Sequence, residues 1–260
     1  MARKSGKPKT VVMLGDFHCG HQAGLTPKAW HYCRDKVANL RKEMWNWYAK
    51  EAASIPTPHL VVANGDLIDG RGEANGAREL ITVVQIEQAT MATEALKVWK
   101  AKNYAMSYGT PYHSGKKENY EDLIAKELNC KAKNHLFLEV NGVKFDVKHK
   151  VGGSGIPHGR HTATAKADTW NMVWADEELQ PRCDVFVRSH VHFFQYSGNS
   201  SKLRMTLPAL QAAATEYGAR QCEGYVDFGF VVFTIHEDGS YEWEPRIRKL
   251  KGVKESTTKY

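Results

Sequence analysis

The sequence lacks any long apolar segment. No run within its 260 residues approaches the ~18–20 apolar residues that a membrane-spanning helix needs. The first ten residues, MARKSGKPKT, contain no apolar stretch of the kind found in secretory signals. We therefore expect a cytoplasmic protein without a membrane partner.

Paired cysteines are also absent. The five cysteines are scattered along the chain without a C-x-x-C pair, at Cys19, Cys33, Cys130, Cys183 and Cys222. An odd, scattered set argues against a disulfide framework and against a Cys-rich zinc module. A reducing cytoplasm suits this pattern.

The net charge of +7 is concentrated at the two ends of the chain. Residues 1–9 carry +4 and residues 246–260 carry +5, which leaves −2 for the body. Basic ends can add salt-sensitive affinity for phosphate polymers, although solvated termini are the simpler interpretation. Because repeats and low-complexity linkers are missing, we predict a single domain over residues 1–260, with basic tails at 1–9 and 246–260.

The first half of the chain alternates between apolar runs and helical periodicity. Strands are predicted at 10–14, 60–63 and 104–109, and helices at 28–53, 79–102 and 118–129. This β-α-β-α-β order is typical of a mostly parallel sheet with helices packed outside it.

The second half is richer in antiparallel signals. Residues 136–150 form two alternating runs joined by Asn141-Gly142, a pair favoured in hairpin turns. A helix is predicted at 162–179, a buried strand at 183–187, and further strands between 192 and 245 with a turn at Asp238-Gly239. We therefore predict two sheets within one α/β domain.

Asp and His residues follow five of these predicted strands. The clusters are "GDFH" (15–18), "NGDLID" (64–69), "GTPYH" (109–113), His149 and "SHVH" (189–192). Ligands of open α/β sheets collect at the carboxyl ends of strands. Carboxylate and imidazole together suit Mn²⁺, Fe or Zn²⁺. There are donors for two ions, which at ~3.5–4 Å apart would clamp a phosphoryl group and supply a bridging hydroxide as the nucleophile.

The order of these clusters resembles that of the calcineurin-like metallophosphoesterases. Motifs of that family run G-D-x-H, G-D-x-x-D, G-N-H-[DE], a lone His and G-H-x-H, and the resemblance spans about residues 10–236. It implies a two-sheet α/β/β/α sandwich. It also implies ligands for one ion, a bridging carboxylate and ligands for a second ion: Asp16, His18 and His192 for the first, Asp66 as the bridge, and His149 and His190 for the second.

The third motif departs from the family pattern. Thr110 stands where the family has an Asn ligand, and Pro111 and Tyr112 precede His113. Thr110 is thus a weaker metal ligand, or water takes its place. The resemblance assigns His113 a catalytic role, stabilising transition-state charge or protonating the leaving oxygen.

Other polar residues are predicted to contact the substrate. His21 follows the first motif closely, and a surface role for it is equally open. The glycine-rich segment 152–161 carries His158, Arg160 and His161 just before a helix. Arginine and a helix N-terminus both favour phosphate, so we predict a phosphate-contacting loop, with a plain surface loop as the alternative.

These observations favour a metal-dependent phosphodiesterase acting on a nucleotide or on nucleic acid. Two divalent ions are expected, Mn²⁺ in the first place, with Fe, Zn²⁺ or Ni²⁺ as alternatives. A phosphomonoesterase is the second interpretation, and a non-catalytic metal-binding scaffold is the third. The sequence leaves open the true substrate, the native metal and the oligomeric state.

Overall fold

The computed structural model describes residues 7–73, 76–114, 118–213 and 225–250. Within these ranges the chain forms two β-sheets with helices on their outer faces. The strands are β1 (Lys9–Leu14), β2 (Leu60–Asn64), β3 (Tyr104–Ser107), β4 (Ala132–Lys133), β5 (Leu136–Val140), β6 (Val143–Val147), β7 (Val185–Arg188), β8 (Gln195–Gly198), β9 (Leu203–Thr206), β10 (Phe228–Ile235) and β11 (Tyr241–Arg248). The helices are α1 (Ala38–Ser54), α2 (Gln85–Lys97), α3 (Pro111–Ser114), α4 (Tyr120–Glu127) and α5 (Thr162–Asp176).

The first sheet has the strand order β11-β10-β1-β2-β3-β4, and the second has the order β5-β6-β7-β9-β8. Strands β1 to β4 run parallel, while β10 and β11 are antiparallel. In the second sheet β6, β7 and β9 are parallel, and the outer pairs β5–β6 and β8–β9 are antiparallel. The parallel strands therefore form one side of the first sheet and the middle of the second, and within each sheet their carboxyl ends lie side by side.

The two faces of β1 enter different cores, because successive side chains of a strand point to opposite sides. Val11 and Met13 pack in the apolar layer between the two sheets. Val12 and Leu14 pack in the layer beneath the helices, which includes residues of α1, α2 and α4. Helix α5 contacts β7 and β9 of the second sheet. The predicted α/β/β/α sandwich is thus confirmed.

The predicted helix 28–53 begins only at Ala38. Residues Lys28–Trp30 form a separate 3-10 turn. The buried Arg41 guanidinium explains the interruption, since it donates to the carbonyl oxygens of Gln22 and Cys33 and to the carboxylate of Asp35. These contacts hold the segment before α1 in a loop.

The other predicted helices are also shorter than their periodicity suggests. The prediction 79–102 corresponds to α2, which spans only Gln85–Lys97. Before it, the Gln22 amide donates to the Glu79 carbonyl (2.8 Å) and the Ile81 amide donates to the Gly20 carbonyl (2.7 Å). Backbone groups needed for another helical turn are therefore bonded to the loop after β1.

Both predicted turns are present. Asn141 and Gly142 take left-handed φ angles of 47° and 84° between β5 and β6, as a type I′ turn requires. Gly239, with a φ of 84°, turns the chain between β10 and β11. In both cases a dipeptide in the sequence correctly located the turn of a β-hairpin.

The basic tails lie largely outside the described residues, which exclude 1–6 and 251–260. Strand β11 extends to Arg248, so the first residues of the predicted C-terminal tail are strand. Arg246 and Arg248 pair with Glu51 and Glu43 of α1. Among the described residues, no helix has the length and apolar character needed to cross a membrane.

Candidate metal centre

The loops that follow β1, β2 and β7 place candidate ligands in an unusual backbone conformation. Five of these residues have positive φ angles: Asp16 (52°), His18 (47°), Asp66 (50°), His190 (76°) and His192 (58°). Few non-glycine residues adopt this region, and such strain persists where the surrounding structure enforces it, often at functional sites. The left-handed backbone conformation of these loop residues directs their side chains towards one another.

The predicted ligands form two groups of donor atoms, each within 4.8 Å of one another. One group is Asp16, His18 and His192, and the other is Asp66, His149 and His190. In the first group, Nε2 of His192 lies 3.2 Å from Nε2 of His18 and 3.4 Å from Oδ1 of Asp16. These are the two ligand sets that the sequence resemblance implied, and the structure brings both together.

His149 shows how an imidazole in this centre is oriented. Its Nδ1 lies 2.7 Å from the carbonyl oxygen of Asn64, which can only accept a hydrogen bond, so Nδ1 is the donor. Its buried Nε2 lies 2.9 Å from Oδ2 of Asp66 but has no hydrogen bond within the described part of the chain. A histidine that ligates a metal with one ring nitrogen usually donates a hydrogen bond from the other. His149 fits this pattern, because Nδ1 donates to a carbonyl while the buried Nε2 faces a carboxylate without a hydrogen bond among the residues described.

The charges of the centre are mutually dependent. Burial would raise the pKa of Asp16, but the charge and hydrogen bond of His192 and the charge of His149 hold it below its usual value. Burial opposes the ionisation of Asp66 too, yet the close approach of the His149 and His190 rings keeps its pKa well below the usual range. Both carboxylates are therefore ionised at neutral pH.

The histidines respond in opposite directions. Burial lowers the pKa of His18 to about 4, assisted by the charge of His113. Burial also disfavours the cationic form of His149, but its close contact with Asp66 and the charges of Asp66 and Asp16 raise its pKa to about 9. His18 is accordingly neutral and able to bind a cation, whereas His149 must lose a proton first.

Residues of the third motif fix the orientation of the Asp66 carboxylate through hydrogen bonds. The backbone amide of Thr110 donates to Oδ1 of Asp66 (2.6 Å), and its hydroxyl donates to Oδ1 and Oδ2 (3.1 and 3.3 Å). A Cβ added to Gly109 would lie 2.1 Å from Oδ1 of Asp66. Glycine at this position lets the loop approach the carboxylate, and Thr110 orients it through two donor groups.

Two polar networks behind the centre were missed at the level of sequence. The buried Glu121 carboxylate accepts hydrogen bonds from the amides of Leu67 (3.2 Å) and Gly109 (2.8 Å). Burial is the main reason that its pKa rises to about 7. Its place on the apolar face of α4, three and four residues before Ile124 and Ala125, was the available signal.

The second network centres on Asn64. Its amide donates to the hydroxyl of Ser189 (2.8 Å), and its Oδ1 accepts from the hydroxyl of Ser107 (2.6 Å). Ser189, which replaces the first glycine of the last family motif, therefore bonds β7 to β2 just before His190. The position of Asn64 before the second motif gave no sequence signal of this role.

The residues predicted to contact substrate lie in two different places, one in the loop after β1 and the others in segment 152–161. His21 is buried, its Nδ1 accepts from the amide of Ala23 (2.9 Å), and its Nε2 lies 3.8 Å from Glu79. These contacts give His21 a part in loop packing, and its predicted substrate contact finds no support in them.

The predicted phosphate loop forms a 3-10 turn at Pro157–His161. His158 and His161 are exposed there. The guanidinium of Arg160 lies over the ring of Phe193, 4.5 Å from its centroid, and its Nε has no hydrogen bond in the described residues. Phe193 directly follows the candidate ligand His192, so this loop lies beside the centre, although its substrate contacts stay a prediction.

Comparison with known proteins yields likeness in structure only. No family model matches the sequence, and neither does any curated protein. Vps29 from Cryptosporidium parvum is 12% identical with a TM-score of 0.48, covering 94% of this chain and 99% of that chain. Vps29 from Entamoeba histolytica complexed with Zn²⁺ is 13% identical with a TM-score of 0.43, covering 92% and 98%. An archaeal phosphodiesterase is 12% identical with a TM-score of 0.44, covering 91% and 99%. At these values the likeness assigns no function to this chain.

Proposed function

We propose that this chain is a calcineurin-like metallophosphoesterase that hydrolyses phosphodiesters with two divalent metal ions. The observation that carries the proposal is the convergence of six Asp and His side chains in two donor groups. Asp16, His18 and His192 would hold one ion, and His149 and His190 the other, with Asp66 between them. When bound, such ions polarise a phosphoryl group and make water acidic enough to attack at neutral pH.

The residues of the chain itself prepare the site for this chemistry. The carboxylates of Asp16 and Asp66 are ionised and supply negative charge where cations bind. Thr110 fixes the orientation of Asp66 through its amide and hydroxyl. Arg160, in the loop beside Phe193, would contact a phosphate oxygen of the substrate. The guanidinium is already oriented by the aromatic ring, which reduces the entropy lost on binding.

A diester substrate, either a nucleotide or nucleic acid, is favoured by the basic ends of the chain, which suit a polyanion. A phosphomonoesterase is the alternative with the same metal chemistry. Comparing p-nitrophenyl phosphate with bis-p-nitrophenyl phosphate in the presence of Mn²⁺, Ni²⁺, Zn²⁺ and Mg²⁺ separates the two. Faster turnover of the monoester would favour the alternative.

The proposal is tested by Asp66→Asn. Because the substitution removes the carboxylate charge placed between the two proposed ion positions, we expect hydrolysis of bis-p-nitrophenyl phosphate to fall on the order of 100-fold or more. Asp238→Asn, in the exposed turn between β10 and β11, is the matched control and should keep wild-type activity. Circular dichroism verifies that both variants are folded. Full activity in Asp66→Asn would show that the centre is not catalytic.

A scaffold without activity would also be distinguished by metal content. Mass spectrometry of the wild-type protein should find close to two ions per chain if the proposal is correct. A metal-free protein that stays inactive after reconstitution would favour the scaffold interpretation.

A further inference from the structure

A third group of donor atoms overlaps the two described above. Donors of His18, Asp66 and His113 also lie within 4.8 Å of one another. His18 belongs to the first ligand set and Asp66 to the second, so this group lies between them. His113, which belongs to the third motif, therefore lies close to ligands of both candidate ion positions.

The orientation of His113 matches that of His149 and His18, whose Nδ1 atoms also make hydrogen bonds outside the centre. Its Nδ1 lies 2.7 Å from the carbonyl oxygen of Asp69, so Nδ1 carries the proton and Nε2 is left as the other donor atom. His149 has the same arrangement, with its Nδ1 bonded to the carbonyl of Asn64. Such a contact behind the ring fixes the tautomer of a ligating histidine and increases its basicity.

Asp69 serves His18 and His113 together. Its Oδ1 accepts from Nδ1 of His18 (3.0 Å), while its backbone oxygen accepts from Nδ1 of His113. The two rings meet edge to face with centroids 4.5 Å apart. One residue thus orients both imidazoles, which would be expected if both rings bind the same ion.

Thr110 does not direct its polar groups at the candidate ion positions, which leaves His113 as the donor from the third motif. Its hydroxyl and amide donate to Asp66, so its polar groups orient the carboxylate. The two-residue insertion Pro111-Tyr112 forms the start of the short helix α3, on which His113 is carried back towards Asp66.

We propose that His113 is a metal ligand, binding through Nε2 the ion held by His18 and Asp66. This inference rests on the proposed metal centre and replaces the role beside the leaving oxygen that the sequence resemblance assigned to His113. A fifth imidazole also changes the metal preference, because imidazole-rich sites favour Fe, Ni²⁺ or Zn²⁺ over Mn²⁺.

The test measures metal binding apart from activity. Metal-free wild type, His113→Gln and the control His236→Gln are titrated with Co²⁺, followed by visible absorption and calorimetry. His236 lies just after β10, in the turn before β11. We expect His113→Gln to weaken one of two binding steps by at least about tenfold and to alter the Co²⁺ absorption bands. His236→Gln should match the wild type in both measurements.

A measurement on the unmodified chain covers the case in which His113→Gln does not fold. In Co²⁺-loaded wild type labelled with ¹⁵N-histidine, the NMR spectrum should show strongly shifted signals from five imidazoles. Signals from four would contradict the inference. So would wild-type Co²⁺ affinity and bands in His113→Gln with only the turnover reduced, since His113 would then act on the substrate. If wild type binds no Co²⁺, the proposed function fails along with the inference, and this outcome differs from either of the others.

Discussion

Three imidazoles of this centre are oriented by hydrogen bonds on the side of the ring that faces away from it. Backbone oxygens of Asn64 and Asp69 accept from Nδ1 of His149 and His113, and the carboxylate of Asp69 accepts from His18. In these three rings the atom that faces the centre is consequently Nε2, whereas His190 places its Nδ1 3.9 Å from Oδ2 of Asp66. Because the contacts of the three rings come from Asn64 at the end of β2 and from Asp69 in the loop after it, the Nδ1 proton of each of the three rings is held in place before any ion binds.

The raised pKa of His149 predicts that metal binding depends on pH. Burial works against the cationic ring, but Asp66 and Asp16 outweigh it and raise the pKa to about 9 from 6.5. An incoming ion must displace this proton, so apparent affinity should rise roughly tenfold per pH unit between pH 7 and 9. Calorimetry in two buffers of different ionisation enthalpy would count the released protons. Affinity independent of pH in this range would contradict the prediction.

The same shift has a consequence for the metal-free protein. A cationic His149 stabilises the fold at pH values below 6.5, the ordinary pKa of histidine, and this contribution is lost as the pH rises through 9. His149→Gln should therefore flatten the dependence of the unfolding free energy on pH across this interval. His236→Gln serves as the control and should retain the wild-type dependence.

At the scale of elements, the loop before α1 depends on a single buried arginine. Arg41 is 1% exposed and joins the helix to Gln22, Cys33 and Asp35. The loop it holds continues from the first motif. Its conformation therefore bears on how Asp16 and His18 are presented.

Arg41→Met should strongly destabilise the protein. It removes the arginine donor from Oδ2 of Asp35 and from two carbonyl oxygens, while Oδ1 of Asp35 keeps its bond from the Val37 amide. Removal of one partner of a buried pair costs about 3–5 kcal/mol. The measurement is urea unfolding followed by circular dichroism. Arg182→Met, which removes an exposed pair with Asp176, is the control and should change stability by no more than about 1 kcal/mol. Equal effects of the two substitutions would refute this account of the loop.

Across the whole molecule, the two sheets supply different parts of the centre. Asp16 and Asp66 follow β1 and β2 of the first sheet, and His149, His190 and His192 follow β6 and β7 of the second. The apolar layer between the sheets, formed by residues such as Met13, Phe145 and Phe233, therefore sets the spacing of the two halves.

The basic ends of the chain predict salt-dependent binding of nucleic acid. Removing residues 1–6 and 251–260 deletes Arg3, Lys4, Lys251, Lys254 and Lys259 together with Glu255. We expect the trimmed protein to bind single-stranded DNA and RNA more weakly and with a shallower dependence on salt, because fewer counterions are released. A gel-shift or fluorescence titration at several salt concentrations measures this. Its hydrolysis of bis-p-nitrophenyl phosphate should be unchanged, and an unchanged salt slope would argue against a role for the tails.

Sequence reasoning succeeded where chemistry is local. Turn dipeptides such as Asn141-Gly142 place the hairpins, and apolar runs place the strands. The clusters around Asp16, Asp66 and His190 identify the strand ends that meet. It was less accurate at helix boundaries, since the loop before Ala38 is held by Arg41 through contacts with residues up to 19 positions away.

The sequence by itself determined the two-sheet architecture and the residue types of the centre, because strand periodicity and donor chemistry are written in short stretches of chain. Only the tertiary structure decided which residues hold and orient those donor groups. Thr110 bonds Asp66 across 44 positions, Glu121 joins the loops of Leu67 and Gly109, and Asp69 orients both His18 and His113. Such contacts depend on distances between strand ends, which arise only when the two sheets have packed together.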